Sequence, residues 1–473
     1  MLIFAFVKTQ ERYNTQRTRL IERYEENPQG YFDLDEWDEI IQYYLHRMHF
    51  AEARTAIRHG LGLHPDAPEL LYYRIRLLTD TGKHEQALSL ARSCVKRFQS
   101  MDSETCGDYV NLWADTLLIE GEILLKLQQE DEARRVFETL RRPLFGDPRY
   151  AFLDAAYVYL NQNLYQQALD WISEGLKEFP DEVELLDMAA YCLANTDRYD
   201  EAADYLHRII NLDPYNDRAW MELGDVHNML NNQPKAIECY DFATSINDGN
   251  LDAWKNKASA YYQMEAYQKA ADCYLLHAEK TGNGVESLLL AADCYEMMDR
   301  HDDALRIFRR CLELQPENGE AMEGAGICEI ELQHYNVGID LLTKALAIDP
   351  TSNDSWFYLG QAYTQLDQDA MAVAAFRKCL ELDPNQPTVL LDLGVLYFEA
   401  GRYSEALRWY REAAIVDPET ENVHLALALT YFGLGDIEHF TSEIQLAQDR
   451  NLESYRLAME VFPECAPYID PLL

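Results

Sequence analysis

Basic residues are scarce in this 473-residue sequence, which has 41 Lys and Arg against 82 Asp and Glu and a formal net charge of −41 at pH 7. Residues 1–113 carry a net charge of −3, and residues 114–473 carry −38. Residues 311–376 contain one basic residue, Lys344, and eleven acidic ones. Such a field repels phosphate backbones, so we expect no nucleic-acid binding. The charge serves either the solubility of a large exposed surface or a groove that attracts a basic segment.

Long apolar runs are also missing. No run approaches the roughly 18 residues that a membrane span needs, so we expect no membrane insertion. Residues 1–7 are apolar, but no basic region precedes them and no small-residue cleavage site follows, which makes them a poor secretory signal. We therefore expect a cytoplasmic protein.

The motifs of common catalytic and metal sites are absent from the sequence. It has no CxxC pair and no HExxH, GxSxG, P-loop or GxGxxG motif. His46 and His49 are three residues apart, but no third ligand lies nearby in the sequence. We predict no catalytic residue, no metal site and no cofactor, and hence a protein that is not an enzyme.

Proline recurs at a fixed interval. Six prolines are separated by 34 residues or by a multiple of 34: Pro180, Pro214, Pro316, Pro350, Pro384 and Pro418. Two further positions of this series hold Asp248 and Gly282. A period of 34 is typical of a helix–turn–helix unit, which cannot bury its apolar face alone and stacks on copies of itself. With the proline set as position 32, twelve units begin at residues 34, 68, 114, 149, 183, 217, 251, 285, 319, 353, 387 and 421.

Other positions of the unit recur in phase with the prolines. Position 8 is Gly or Ala in ten units, position 20 is Ala in ten, and position 11 is Tyr in seven. Small residues let the two helices of a unit approach closely, and bulky residues at positions 4, 11 and 24 fill the remaining gaps. Eight of the ten cysteines fall at positions 10, 23 and 27, so we interpret them as packing residues in a reducing compartment. Tryptophan occupies position 4 in four units: Trp37, Trp220, Trp254 and Trp356.

This pattern resembles the tetratricopeptide repeat. The Trp, Leu, Gly, Tyr, Ala, Phe and Pro of that repeat are matched in one unit by Trp356, Leu359, Gly360, Tyr363, Ala372, Phe376 and Pro384. The resemblance covers residues 34–454. It implies an all-α fold, a right-handed α-solenoid (superhelix) of stacked helix–turn–helix units, which presents a long surface to protein or peptide partners.

We divide the chain into five parts. They are an N-terminal capping segment, the first two repeats, an irregular insertion, the remaining ten repeats, and a C-terminal cap or tail: residues 1–33, 34–101, 102–113, 114–454 and 455–473. The insertion is either a loop or an early start of the next helix. We expect capping helices over residues 15–26 and 452–462, which would close the two ends of the repeated core.

The resemblance also predicts a binding face, because first-helix positions 2, 5, 6, 9, 12 and 13 line the concave side of tetratricopeptide arrays. The aromatic residues at these positions are Tyr72, Tyr73, Tyr157, Tyr191, Tyr262, Phe357, Tyr358 and Phe398. The acidic residues among them are Asp187, Glu222, Asp225, Asp293, Glu296, Glu320, Glu323, Asp354 and Asp392. We predict that this groove binds a protein or peptide segment that carries Lys or Arg, through charge pairing and cation–π contact. The alternative is that an acidic protein carries acids on every face.

One ligand of the family is not expected. Tetratricopeptide domains that bind acidic carboxyl tails use a Lys/Asn/Arg clamp, of which Lys255 and Asn256 form a fragment here, while the next groove position holds Ser259. The leading hypothesis is therefore a non-catalytic interaction scaffold or adaptor with an acidic groove. Two alternatives stay open. One is a regulatory or sensor subunit of a larger enzyme or secretion assembly, hinged at residues 102–113, and the other is a self-assembling structural protein, a homo-oligomer.

Overall fold

A computed structural model describes residues 17–101, 107–420, 422–451 and 453–469. Part of the predicted N-terminal cap (residues 1–16), including the apolar start, lies outside the described residues, as do residues 102–106 of the insertion and the end of the tail. Among the described residues every regular element is helical, so the predicted α-solenoid class is confirmed. None of the described helices is both long and apolar enough to cross a membrane.

The chain divides into two compact units, Met1–Ile246 (unit 1) and Asn247–Leu473 (unit 2). Unit 1 contains a helix over residues 17–26 and then six helical hairpins, each made of a first and a second helix. Hairpins 1 to 3 are Leu34–His46 with Phe50–Leu63, Pro68–Asp80 with His84–Gln99, and Val110–Lys126 with Glu130–Leu140. Hairpins 4 to 6 are Pro148–Asn161 with Tyr165–Glu178, Val183–Ala194 with Tyr199–Leu212, and Asp217–Met229 with Gln233–Ile246.

Unit 2 contains six further hairpins and a short terminal helix, Ser454–Val461, which is followed by a 3₁₀ turn, Pro463–Cys465, and a single helical turn, Ala466–Ile469. Hairpins 7 to 9 are Leu251–Gln263 with Tyr267–Lys280, Val285–Glu296 with His301–Leu314, and Gly319–Glu331 with Tyr335–Ile348. Hairpins 10 to 12 are Asn353–Gln365 with Asp369–Leu382, Pro387–Glu399 with Tyr403–Val416, and Val423–Gly433 with Ile437–Arg450. Within each unit, a second helix packs on both its own first helix and the first helix of the hairpin that follows it.

The first helix of hairpin 3 starts inside the predicted insertion. It begins at Val110, four residues before the repeat predicts, and this extra turn buries Trp113. The indole of Trp113 stacks on Phe98 of the preceding hairpin, with ring centroids 6.1 Å apart, and meets Phe145 edge-on at 5.1 Å. A large aromatic side chain gains most from burial, so Trp113 stabilises the longer helix.

Position-4 tryptophans hold the turns between hairpins. In three units the indole N–H donates to the backbone carbonyl of the residue six positions upstream, which belongs to the proline series. The pairs are Trp220 with Pro214 at 3.0 Å, Trp254 with Asp248 at 3.2 Å, and Trp356 with Pro350 at 3.1 Å. Because the acceptor is a main-chain carbonyl, Asp248 serves as well as proline, and the repeat keeps its register where proline is missing.

Glycine at position 8 provides room for an aromatic ring at position 24. A Cβ atom on these glycines would lie between 2.1 and 2.4 Å from a ring atom, which is well inside van der Waals contact. The pairs are Gly121 with Phe137, Gly224 with Tyr240, Gly360 with Phe376, and Gly394 with Tyr410. These close contacts bury the rings at the centre of each hairpin.

Candidate peptide-binding groove

A cavity of about 490 Å³ opens between the first helices of hairpins 4, 5 and 6. Every residue that the sequence predicts for the groove in these three hairpins lines this cavity: Tyr157, Asp187, Tyr191, Glu222 and Asp225. The period of 34 brings them together, because equivalent positions of successive units lie side by side on one face.

The floor of the cavity is apolar. Met188, Leu206 and Val226 line it from three helices, and Met229 lies near its edge. Methionine side chains are flexible and polarizable, so this floor can adapt to aliphatic groups of different shape.

Arg218 supplies a cation that the sequence reasoning missed. Its Nε donates to Oε1 of Glu222 at 2.7 Å, and its Nη2 lies 3.2 Å from Oδ2 of Asp187. These interactions, led by the hydrogen bond to Glu222, raise the pKa of the Arg218 guanidinium. Arg218 occupies position 2 of its unit, a position assigned to the groove, so its residue number alone could have placed it there.

Glu222 and Asp187 form a carboxyl pair in the wall of the cavity. Burial, and next the nearby Asp187, raise the pKa of Glu222 to about 7, although the hydrogen bond from Arg218 lowers it. Two carboxyls in one partly enclosed site resist being ionised together. The pair is therefore poised to gain from additional positive charge.

Asp225 is engaged within its own hairpin. The buried Tyr240 donates its hydroxyl to Oδ1 of Asp225 at 2.7 Å, from the position 24 that packs against Gly224. Burial, followed by the charge of Asp225, raises the pKa of Tyr240. This link between the core and the groove depends on a hydroxyl at position 24, where most units have none.

Two tyrosines at the mouth of the cavity are open to solvent. Tyr157 is 55% exposed and Tyr191 is 54% exposed. The ring of Tyr165 meets Tyr191 edge-on with centroids 6.2 Å apart, which limits its movement. Tyr157 lies close enough to Arg218 for an electrostatic interaction. Exposed aromatic rings beside carboxylates suit a ligand with both apolar and cationic parts.

In unit 2, a second cavity of about 430 Å³ is lined by residues of hairpins 9, 10 and 11. Of the predicted groove residues it includes Asp392, beside Glu331 and Gln361. Burial raises the pKa of Asp392 to about 6. The part of the chain that the structure describes offers Asp392 neither a hydrogen-bond donor nor a salt-bridge partner.

The other predicted acids of unit 2 interact with neutral groups or with water. The thiol of Cys328 donates to Oε1 of Glu296 at 3.5 Å, and burial raises the pKa of Glu296 to about 7. The hydroxyl of Ser355 donates to Oε1 of Glu323 at 2.8 Å. Asp293 accepts a hydrogen bond from Tyr262, whose pKa is raised first by burial and then by that bond. Two carboxylates of this face are exposed to solvent: Glu320 and Asp354.

The aromatic residues predicted in unit 2 are half-buried. Phe357 contacts Tyr358 edge-on at 5.4 Å. Burial raises the pKa of Tyr358, and Glu331 and Asp354 raise it further. Phe398 is partly covered, because Phe462, just after the terminal helix, lies against it at 6.0 Å.

The remaining predicted groove tyrosines lie in hairpin 2. Tyr72 and Tyr73 meet edge-on at 5.8 Å. The Tyr73 hydroxyl donates to Asp38 of hairpin 1 and accepts from Gln42 at 2.9 Å, so it is bound to its neighbours.

The cysteines and histidines that could suggest chemistry lie in ordinary packing positions. The nine described cysteines are free and buried, and burial raises the pKa of Cys192 to about 12, which disfavours a reactive thiolate. Cys106 lies outside the described residues. His46 contacts the main-chain carbonyl of Gln42 at 2.7 Å, and His49 stacks on Tyr44. Over the described ranges, no group of three or more His, Cys, Asp or Glu could hold a metal ion.

Comparison with solved structures gives low sequence identity and partial overlap. YrrB, a TPR protein with an unusual peptide-binding site, is 16% identical, covers 40% of this chain and 97% of its own, with a TM-score of 0.35. PilF of Pseudomonas aeruginosa is 20% identical, covers 45% and 98%, and has a TM-score of 0.40. A tetratricopeptide repeat protein from Parabacteroides merdae is 18% identical, covers 52% and 98%, and has a TM-score of 0.39. No curated protein matches the chain significantly.

Comparison with protein families is decisive. Four family profiles, each described as "Tetratricopeptide repeat", match residues 40–101 and 120–183, 183–226, 286–318 and 354–385, and 370–430. These matches fall in both units and follow the helical hairpins described above. The chain is a tetratricopeptide repeat protein.

Proposed function

We propose that this protein is a non-catalytic scaffold whose first-helix face binds protein or peptide segments that carry basic residues. Tetratricopeptide repeats are protein-interaction modules, and this general role follows from the family. The observation that supports the finer proposal is the cavity of hairpins 4 to 6, where exposed tyrosines, carboxylates and an apolar floor meet in one place.

The charge of the chain supports a basic partner. The cavity contains three carboxylates, and the same face of unit 2 adds Glu296, Glu323 and Asp392. Complementary charge accelerates encounter and selects partners, and it is weakened by salt. The free, buried cysteines fit a reducing compartment, and we propose that the protein acts in the cytoplasm.

Binding of fluorescein-labelled peptides to the full chain tests the proposal. The probes are pools of seven-residue peptides with randomised uncharged flanks and a central Arg, Lys or citrulline, measured by fluorescence anisotropy. Replacing both Tyr157 and Tyr191 by Ala should weaken binding of the Arg and Lys pools by about tenfold or more, because exposed aromatic anchors dominate such interfaces.

A matched control uses Tyr150 of hairpin 4 and Tyr215 in the turn between hairpins 5 and 6, which are exposed tyrosines outside the cavity. The Tyr150→Ala/Tyr215→Ala double variant removes the same two rings and should bind as the unchanged protein does. Equal loss in both double variants, or no loss in either, would contradict a role for the cavity. Binding that is unaffected by 0.5 M salt would remove the electrostatic part of the proposal.

A further inference from the structure

We propose that the cavity of hairpins 4 to 6 recognises a single Arg or Lys side chain of the partner, and that Arg218 holds the cation position until the partner displaces it. This inference rests on the proposed function, because it requires a peptide on the first-helix face. Beyond the proposed function, the inference specifies which side chain of the partner is recognised, and it identifies Arg218 as a residue that competes with that side chain for the same carboxylates.

The size and lining of the cavity suit one long basic side chain. A volume of about 490 Å³ lies in the range of ligand pockets. The apolar floor around Met188 and Val226 can cover the aliphatic stem of Arg or Lys, which are amphipathic side chains. Tyr157 and Tyr191 at the mouth provide faces for a cation.

The carboxylates of the cavity are incompletely neutralised. Arg218 is the single basic residue among the described residues that line it, against three acids. Asp225 accepts the hydroxyl of Tyr240, which leaves Asp187 and Glu222 to share one guanidinium. Burial, and next the neighbouring Asp187, keep the pKa of Glu222 raised although Arg218 lowers it. A second cation beside the pair would favour its ionised form.

The position of Arg218 allows a partner cation to displace it from the carboxylates. Its side chain is 69% exposed, and its Nε bond to Glu222 joins residues one turn apart on the same helix. The side chains of Glu222 and Asp187 are only 25% and 31% exposed, so the guanidinium is the end of the pair that water can reach and rehydrate as the partner cation takes its place. A partner side chain that enters over the apolar floor would approach the same carboxylates from a more enclosed side, where charge interactions are stronger.

The arrangement predicts opposite effects for two substitutions at one ion pair. Arg218→Ala removes the competitor and should raise affinity for the Arg pool by about threefold to tenfold, without a gain for the citrulline pool. Glu222→Gln removes a recognising charge and should lower the preference for Arg over citrulline by a similar factor. A cation that merely stabilised the fold would give a loss in both variants.

The experiment uses the same labelled pools and the full chain. Arg402→Ala is the charge-matched control, because Arg402 also pairs with a nearby glutamate, Glu405, on the surface of unit 2. It changes the net charge as Arg218→Ala does and should leave the ratio of Arg-pool to citrulline-pool affinity unchanged. Arg218→Gln keeps a polar, uncharged side chain that reaches as far as the arginine Nε and should behave as Arg218→Ala, and circular dichroism verifies that both variants are folded.

The outcomes separate this inference from the proposed function. Weaker binding of the Arg pool to Arg218→Ala and Arg218→Gln would overturn the inference, since Arg218 would then assist binding. Equal affinity of the unchanged protein for the Arg, Lys and citrulline pools, with binding still lost in the Tyr157/Tyr191 double variant, would also overturn it. That result would remove the preference for basic segments from the proposed function and leave a peptide-binding groove standing. Binding that is unchanged in the Tyr157/Tyr191 double variant would overturn the inference and the proposed function together.

Discussion

Glu222 in unit 1 and Glu296 in unit 2 occupy the same face of their units but meet different partners. Glu222 accepts a hydrogen bond from the guanidinium of Arg218, whereas Glu296 accepts one from the thiol of Cys328. The pKa of each is nevertheless raised to about 7, and burial is the largest cause in both. In unit 1 the cation is offset by the neighbouring Asp187.

The comparison shows that similar titration can conceal different binding properties. Residues 1–246 carry 25 Lys and Arg with 43 Asp and Glu, while residues 247–473 carry 16 with 39, so unit 2 has fewer cations to place beside its acids. The cavity of unit 1 already holds a guanidinium that a ligand can replace. The unit 2 face has acids whose charge is reduced mainly by burial.

The largest loss of stability should come from overpacking the contact between the position-8 glycine and the position-24 ring, which supports the groove face in both units. Gly224→Ala in unit 1 and Gly394→Ala in unit 2 place a Cβ 2.4 and 2.2 Å from the rings of Tyr240 and Tyr410. Each should lower the free energy of unfolding by about 3 kcal/mol, the upper range for overpacking a core. Urea unfolding measures the loss, and hydrogen exchange locates it in the unit that carries the substitution.

Gly62→Ala is the control for the glycine substitutions, because a Cβ at this helical position meets no atom within 4 Å. It should be neutral or stabilise by up to about 1 kcal/mol through helix propensity. Faster hydrogen exchange across both units after either Gly224→Ala or Gly394→Ala would show that the units unfold together. It would contradict the expectation that each substitution destabilises only its own unit.

The buried carboxyls should give the next largest effect, and it should depend on pH. With a pKa near 7 in the folded state against 4.5 ordinarily, Glu296 contributes stability below pH 4.5 that is lost as the pH rises to about 7. Glu296→Gln removes this loss. The variant should therefore exceed the unchanged protein by about 2 kcal/mol at pH 8, with the gain vanishing near pH 4, in urea unfolding at each pH.

Glu222→Gln sharpens the contrast between the units. Glu222→Gln should also stabilise the protein at pH 8, because burial and Asp187 together raise the pKa of Glu222 more than Arg218 lowers it. If Glu222→Gln instead destabilises the protein at pH 8, the ion pair dominates in unit 1 and the two faces differ in stability as well as in binding. Glu320→Gln, at an exposed carboxylate of the unit 2 face, should show no comparable gain.

A smaller effect distinguishes two of the three position-24 tyrosines, Tyr240 and Tyr410. Tyr240→Phe removes the donor to Asp225 and should cost about 1–2 kcal/mol, a usual value for a hydrogen bond to a charged group. Tyr410→Phe should change stability by less than about 0.5 kcal/mol, because its hydroxyl has no hydrogen-bond partner among the described residues. Equal losses in urea unfolding would mean that the Tyr240 hydroxyl matters only through packing.

Much of the fold was predictable because it is set by positions that recur. The small residues at positions 8 and 20 and the proline series placed all twelve hairpins, and the groove positions gathered Tyr157, Asp187 and Glu222 into one cavity. The bond between Tyr240 and Asp225 was not predictable, because it depends on a tyrosine at position 24 and an acid at position 9 of the same repeat, neither of which recurs in most repeats. The cation of the cavity, Arg218, lies at a groove position, but it differs in charge from the acids and aromatics that define this face in the sequence, and the pattern therefore did not indicate it.

A backbone regularity was also hidden in the sequence. Position 15, in the turn between the two helices of each hairpin, has a positive φ between 53° and 77° in all twelve units. Glycine adopts this conformation without strain, yet it occurs there in three units: Gly82, Gly401 and Gly435. Five of the other nine residues are Asn or Asp, which are enriched in this conformation, so the signal at this position becomes visible only when the twelve repeats are aligned.

Position 15 gives the smallest expected effect and the last comparison between the units. Glu265→Gly in unit 2 relieves a left-handed glutamate at φ 59° and should stabilise by about 1 kcal/mol. Asn231→Gly in unit 1, at φ 54°, should gain less, because asparagine tolerates this conformation. Urea unfolding measures both, and Gly401→Ala should lose about as much as Glu265→Gly gains. A larger gain at Asn231 than at Glu265 would mean that the turn of hairpin 6, which borders the cavity, is more strained than its counterpart in hairpin 7.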